Sequence, residues 1–272
     1  MHIKNLLINL SNLFKWGIVF NYMITVIGLG EIGLVTFKEI NKVVKDVVGH
    51  DIDAKLIKSL QQDKLNVTFK FPKKSDIFIV SVYSSEQVID VLTKIDYSNK
   101  PLIIIESTLK PGTIKQIRKM NLNCYLALCP HRYFKGDKYH QVFNLKRVLG
   151  GIDKPSIKKA YDFYLKFMDQ SNITISDIEL VEISKPLENA YRFVEIAIAE
   201  EIKLFCDKNN LNFNELKKMM NTKLNINVKE ARTGIGGKCL PKDMNIINKL
   251  MKKNKIFKSA IKLDKKYKFQ SK

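Results

Sequence analysis

Short apolar runs, the first stopping at a glycine and the second at an acid, alternate with longer stretches of helical spacing through the first part of the chain. The first run covers residues 24–28, and runs at 47–51, 77–82, 102–106, 125–129 and 147–150 follow. Each is apolar nearly throughout, the pattern of a strand buried on both faces of a parallel sheet. Helical stretches through about Asn41 and over 85–95, 113–120 and 156–168 fall between and after them. Such alternation predicts an α/β fold with a Rossmann-type, doubly wound parallel sheet. The rhythm then changes. Residues 178–209 carry Leu180, Ile183, Leu187, Tyr191, Val194 and Ile198 at three- and four-residue spacing, which predicts one long helix. A short helix over 214–220, an irregular loop to Cys239 and a helix from Pro241 complete a helical central region. The divisions expected are a leader or misplaced start over 1–22, a dinucleotide-binding domain over 23–176, a helical domain over 177–253 and a basic, solvated tail over 254–272.

Composition refines this picture only slightly. A chain of 272 residues with 45% hydrophobic and 27% charged residues is globular, with room for two ordinary cores. The net charge of +20 could suggest nucleic acid, but it comes from 42 lysines against 5 arginines, spread along the whole length. There is no run of five or six like charges and no interleaving of aromatics, so no specific nucleic-acid reader is expected. Cys124, Cys129, Cys206 and Cys239 form no CxxC pair and have no histidine at ligand spacing. Neither a metal site nor a disulfide framework is expected, and reduced thiols fit a cytoplasmic protein. Residues 1–22 are interrupted by Asn9, Ser11, Asn12 and Lys15, too polar for a membrane span or a signal peptide.

Chemistry enters at two glycine clusters. Gly28, Gly30 and Gly33 follow the first strand and open a helix, and Asp51 stands at the end of the next strand. That whole context is a dinucleotide fingerprint. Gly28 permits a tight turn, Gly30 admits a pyrophosphate to the backbone, and Gly33 lets the helix approach the strand. The helix N-terminus favours the phosphates, and Asp51 would accept hydrogen bonds from the adenosine ribose, which selects NAD over NADP. The second cluster, Gly234, Gly236 and Gly237, comes just before Cys239. Small residues there leave room for a substrate carbon at the sulfur, and a helix start is a place where thiols are reactive. Asp243 lies one helical turn beyond Cys239, placed to orient a water. A buried structural cysteine in a glycine loop is the plainer alternative.

The stretch from Gly234 to Asp243, GIGGKCLPKD, resembles the cysteine motif of the UDP-glucose/GDP-mannose dehydrogenase family. The opening MITVIGLGEIGLVT, the VVGHDID that follows and ESTLKPGT at 106–113 are similar to family stretches in the same order. Cys129-Pro130-His131-Arg132 and the lysine–glycine–aspartate–lysine stretch at 135–138 resemble the segment found in the UDP-N-acetyl-hexosamine branch. The strand at 147–151 and KPLENAYR at 185–192 also fit. The resemblance implies NAD-dependent oxidation of a nucleotide-sugar C6 alcohol to the carboxylate. Cys239 would be the nucleophile, carrying first a thiohemiacetal and then a thioester. Lys185 and Asn189, on one helix face, would hold the oxyanion. Asp243 and Thr108 would position the water. The resemblance further implies a homodimer formed through the central helix.

The chain departs from that family in several places. His131 stands where the family has a glutamate, although histidine too can shuttle protons. Pro186 follows Lys185, so the sequence predicts either a kink or a helix start there. Lys223 replaces an arginine that reaches the neighbouring subunit, and a lysine lacks the arginine's bidentate fork. The segment from 53 to 75 is short. Family members also continue into a second α/β domain that builds much of the nucleotide site, so a separate chain supplying it is an expectation. A degenerate, NAD-binding and dimerising paralogue without turnover is the alternative to an active dehydrogenase. A basic nucleic-acid-binding protein is a third, motivated by charge alone.

Overall fold

The apolar runs become the inner strands of one sheet. In the computed structural model residues 22–133 and 142–270 are described; the expected leader apart from Tyr22 and the stretch at 135–138 lie outside them. β1 (Ile24–Ile27) leads through the first glycine cluster into α1 (Glu31–Asn41), and β2 (Val47–His50) leads into α2 (Ala54–Gln62). β3 (Val67–Thr68), β4 (Ile77–Val80), α3 (Ser85–Lys94), β5 (Leu102–Ile105) and α4 (Thr113–Lys119) follow. β6 (Tyr125–Leu128), β7 (Arg147–Gly151), α5 (Lys154–Tyr164) and β8 (Ile173–Ile175) complete the set. The strand order is β3-β2-β1-β4-β5-β6-β7-β8, which is the Rossmann-type α/β arrangement expected. One pairing departs from the parallel rule: β6 and β7 run antiparallel. A parallel pair needs a crossover, usually a helix, whereas an antiparallel pair can be joined directly.

Both faces of the sheet are buried, which is why its strands are apolar without alternation. Ile77, Ile79, Leu102, Ile104, Ala127 and Cys129 point into one core with Phe37 and Tyr164. Phe78, Val80, Ile103, Ile105, Leu126 and Leu128 point into the other with Val88 and Ile114. At the end of β5 a carboxylate is buried inside the first of these layers. Glu106 pairs with Arg147 and accepts hydrogen bonds from Thr36 Oγ1 at 2.9 Å and Tyr164 Oη at 3.0 Å. Burial alone pushes the Glu106 carboxyl up, but the Arg147 guanidinium with its neighbours outweighs that and holds it below its ordinary value. Deleting one partner of such a pair costs about 3–5 kcal/mol, because the other charge is left buried and uncompensated.

The chain divides into two compact units, one ending at Glu182 and one beginning at Ile183. That boundary falls inside the long helix α6 (Ile178–Lys208) rather than before it. The helix continues through Pro186, so no helix starts there. α7 (Phe213–Met220), α8 (Cys239–Leu250) and α9 (Ile256–Gln270) make up the rest of the second unit. α8 begins two residues earlier than expected, with Cys239 itself as its first residue. The stretch expected to be a solvated tail is instead mostly helical. Ala260, Asp264 and Tyr267 recur at four- and three-residue spacing and are buried, so α9 has an inner face despite its lysines. Among the described residues no helix is long and apolar enough to cross a membrane.

Candidate functional site

In the first unit the glycine cluster shapes a cradle at the end of β1. Gly28 has φ +87°, a left-handed conformation that side chains rarely adopt, and a Cβ there would lie 2.4 Å from Ser81 O. A Cβ on Gly33 would lie 1.8 Å from Gly28 O, so α1 can approach the turn only with glycine at that position. Gly30 differs: a Cβ there would meet nothing within 4 Å, and no side chain caps α1 from that position. Open space in front of an uncapped helix start suits an anion. Asp51 follows β2 and is half-buried. Its Oδ2 accepts a hydrogen bond from Leu29 N at 2.7 Å and its Oδ1 one from Asp53 N at 2.9 Å. The acid therefore braces the glycine turn.

Two further candidates lie in the first unit. Thr108 is half-buried, just after Glu106 and Ser107. Ser107 Oγ accepts from Val82 N at 2.9 Å, which ties this stretch to the end of β4. The turn that follows contains Gly112, at φ +95°, and is capped from a distance. Glu182 accepts from Gly112 N and Ile114 N, each at 2.7 Å, so a carboxylate on α6 satisfies the start of α4. Nothing in sequence spacing announces that cap, because the two partners are about seventy residues apart. His131 is buried. Its backbone N donates to Glu106 O at 3.1 Å, and its Nδ1 accepts from Tyr133 N at 2.8 Å.

In the second unit the structure brings Lys185, Asn189 and Asp243 together. Lys185 and Asn189 are one turn apart on α6, and both are half-buried. Asn189 Nδ2 donates to Asp243 Oδ2 at 2.6 Å, which joins α6 to α8. Asp243 is almost wholly buried, its Oδ1 lies 3.7 Å from Lys242 Nζ, and that oxygen has no hydrogen-bond partner. Burial pushes the Asp243 carboxyl up, opposed by the Asn189 hydrogen bond and by the ammonium groups of Lys242 and Lys185. Lys185 Nζ lies 3.9 Å from Glu188 Oε2. Cys239 is one helical turn before Asp243, and it is exposed while Cys124, Cys129 and Cys206 are buried. Gly237, at φ +78° with open space around it, leaves the approach to the cysteine clear. The arrangement offers an accessible thiol, a buried carboxyl and an ammonium–amide pair within one helical unit.

Residues 179–266 match the model of the UDP-glucose/GDP-mannose dehydrogenase family, central domain. The chain is 31% identical to a UDP-N-acetyl-D-mannosamine dehydrogenase of Methanocaldococcus jannaschii, over 89% of this chain and 65% of that protein. It therefore spans a little under two thirds of that relative's length. Among solved structures it is similar to a UDP-D-ManNAc dehydrogenase of Pyrococcus horikoshii, with a TM-score of 0.80 and 26% identity over 90% of this chain and 68% of that one. The UDP-N-acetyl-mannosamine dehydrogenase of Staphylococcus aureus superimposes with a TM-score of 0.75 at 26% identity, with the same coverage.

Proposed function

Because the chain belongs to the UDP-glucose/GDP-mannose dehydrogenase family, we propose that it takes part in the NAD-dependent oxidation of a UDP-sugar C6 alcohol to the carboxylate. UDP-N-acetyl-D-mannosamine is the first substrate to test, since it gives the relatives their name. The observation that carries this reading is the set in the second unit: exposed Cys239, buried Asp243, and Lys185 with Asn189 on one face of α6.

NAD supplies the hydride acceptor for both oxidations, and the cradle at Gly28, Gly30 and Gly33 with Asp51 fits its pyrophosphate and ribose. The residues of the chain do the remaining work. The Cys239 thiolate adds to the carbonyl carbon of the intermediate aldehyde, and the oxygen becomes an alkoxide stabilised by the Lys185 ammonium. Asn189 has spent one N–H on Asp243, and its second N–H is available to the same oxygen. After the second oxidation the carbon is held as a thioester on Cys239. Asp243 Oδ1, which has no hydrogen-bond partner, takes a proton from water as the water adds, and the thiol leaves. A carboxyl raised by burial is a better base for that step than an ordinary one. Thr108 and His131 are assigned to water positioning and proton transfer. A second copy of the chain is the proposed partner, through the exposed side of α6.

The test is an assay of NADH formation by the protein with NAD and UDP-N-acetyl-D-mannosamine. Two NADH per sugar and loss of turnover in Cys239→Ala are expected. NAD binding without NADH from any UDP-sugar, with the protein assayed both alone and together with a separately supplied nucleotide-binding domain, would overturn the dehydrogenase reading in favour of a binding protein without turnover. The buried His131 in place of a family glutamate is the feature that would then explain it.

A further inference from the structure

α9 does more than close the second unit. Three of its side chains reach the loop that delivers Cys239, and they hold backbone groups rather than side chains. Tyr267 Oη donates to Arg232 O at 2.7 Å. Asp264 Oδ1 accepts from Ile235 N at 2.8 Å, and Lys268 Nζ donates to Ile235 O at 2.7 Å. Lys268 Nζ also donates to Asp264 Oδ2 at 2.7 Å, so the two side chains that grip Ile235 are joined to each other. The loop is shaped to accept this grip. Arg232 and Gly234 both have positive φ, and a Cβ on Gly234 would lie 2.4 Å from Lys268 Cγ. Ile235 is buried beside Ala260 of α9 and Met244 of α8. A backbone in left-handed conformations has few hydrogen bonds of its own, so an external scaffold decides where it runs.

We propose that α9 is a clamp for the nucleophile loop, with Asp264, Tyr267 and Lys268 as positioning residues that set the stretch from Arg232 to Cys239. This rests on the assignment of Cys239 as the nucleophile. None of the three side chains need touch substrate. Each fixes a backbone group four or seven residues before the sulfur, and α8 begins where the held loop ends. A loop carrying two glycines, Gly236 and Gly237, in open space would otherwise wander and carry the start of α8 with it.

The experiment reads amide hydrogen exchange and thiol reactivity on the full chain, so it needs no substrate. Asp264→Ala should speed exchange at Ile235 and over 236–239 by roughly 10-fold or more, the scale of a lost hydrogen bond to a charged group. Asp264→Asn keeps an acceptor oxygen toward Ile235 N and should restore most of that protection. Tyr267→Phe, which removes one hydroxyl, should speed exchange in the loop while the middle of α6 stays protected. In Asp264→Ala the rate of Cys239 alkylation by iodoacetamide should fall about threefold or more as the helix-start setting of the thiol is lost. Unchanged loop exchange in Asp264→Ala and Tyr267→Phe would overturn the clamp. So would faster exchange spread evenly over α6 and α8, which would mean general loosening. If Cys239 of the unaltered protein is not the fastest-labelled cysteine, the nucleophile assignment fails, and the exchange measurements still decide the clamp.

Discussion

Asp51 holds the glycine turn before any ligand arrives. Its two oxygens accept from Leu29 N and Asp53 N, so the acid that would read the ribose is already oriented by the loop it serves. Asp51→Asn keeps an oxygen for the turn but loses the charge that a ribose hydroxyl would meet. It should weaken NAD by about 1–3 kcal/mol in titration calorimetry, the worth of a hydrogen bond to a charged group, with little change in melting temperature. Unchanged affinity would remove Asp51 from the cofactor site. The residues that were legible in the sequence are of this kind, where one motif position has one stereochemical job. Gly28 needs a positive φ and Gly33 needs a missing Cβ, and both requirements are visible as glycine at fixed spacing. Glu106, Glu182 and Asp264 were not legible as partners. Each acts through a contact made across the fold, to Arg147, to the start of α4 and to Ile235 respectively.

At the scale of elements, strands buried on both faces were easy to read and short or lysine-rich elements were not. β3 has two residues and β8 three, too few for any periodicity to show. α9 was hidden by its composition, since lysines on its outer side mask an inner face that includes a buried acid, Asp264. That acid has a fully buried neighbour on α6. Glu200 faces Asp264, and burial, then the Asp264 carboxylate, push its carboxyl up to about 8 against the opposing pull of Lys268. Tyr267 of α9 lies near the same carboxyl, with Lys203 and Asp207 of α6 near the tyrosine in turn. A carboxyl raised on folding keeps a proton that the unfolded chain has released. Folding stability therefore declines as pH rises from the ordinary value of 4.5 towards about 8, and the full cost is present above that. Glu200→Gln has no proton to lose. Its melting temperature should fall less than the parent's over that window, and it should be the more stable protein at alkaline pH. Parallel pH profiles in calorimetry would show that Glu200 ionises as freely in the folded chain as in the unfolded one.

The glycine cluster with Asp51 lies in the first compact unit, and Cys239, Asp243, Lys185 and Asn189 lie in the second. The second unit leaves an apolar stripe uncovered on its main helix. Tyr191, Ile198 and Phe205 are 66%, 53% and 57% exposed, and they recur every seven residues along α6. Positions seven apart drift only about 20° around a helix, so the three lie along one side. Large side chains left exposed among the described residues suit a surface that a partner covers. A second copy is the occupant that fits, because a stripe on a long helix can pair with itself about a twofold axis, each Ile198 lying near the middle of the contact. The protein is expected to sediment as a dimer at micromolar concentration. Ile198→Glu places a charge in the centre of that contact from each copy and should shift the protein to monomer. NAD affinity should stay unchanged, because the glycine cradle belongs to the other unit. Analytical ultracentrifugation of both proteins, with calorimetric titration of NAD alongside, provides the measurement. A parent that stays monomeric throughout, or an Ile198→Glu variant that dimerises as well as the parent, would place the self-association surface elsewhere or remove it.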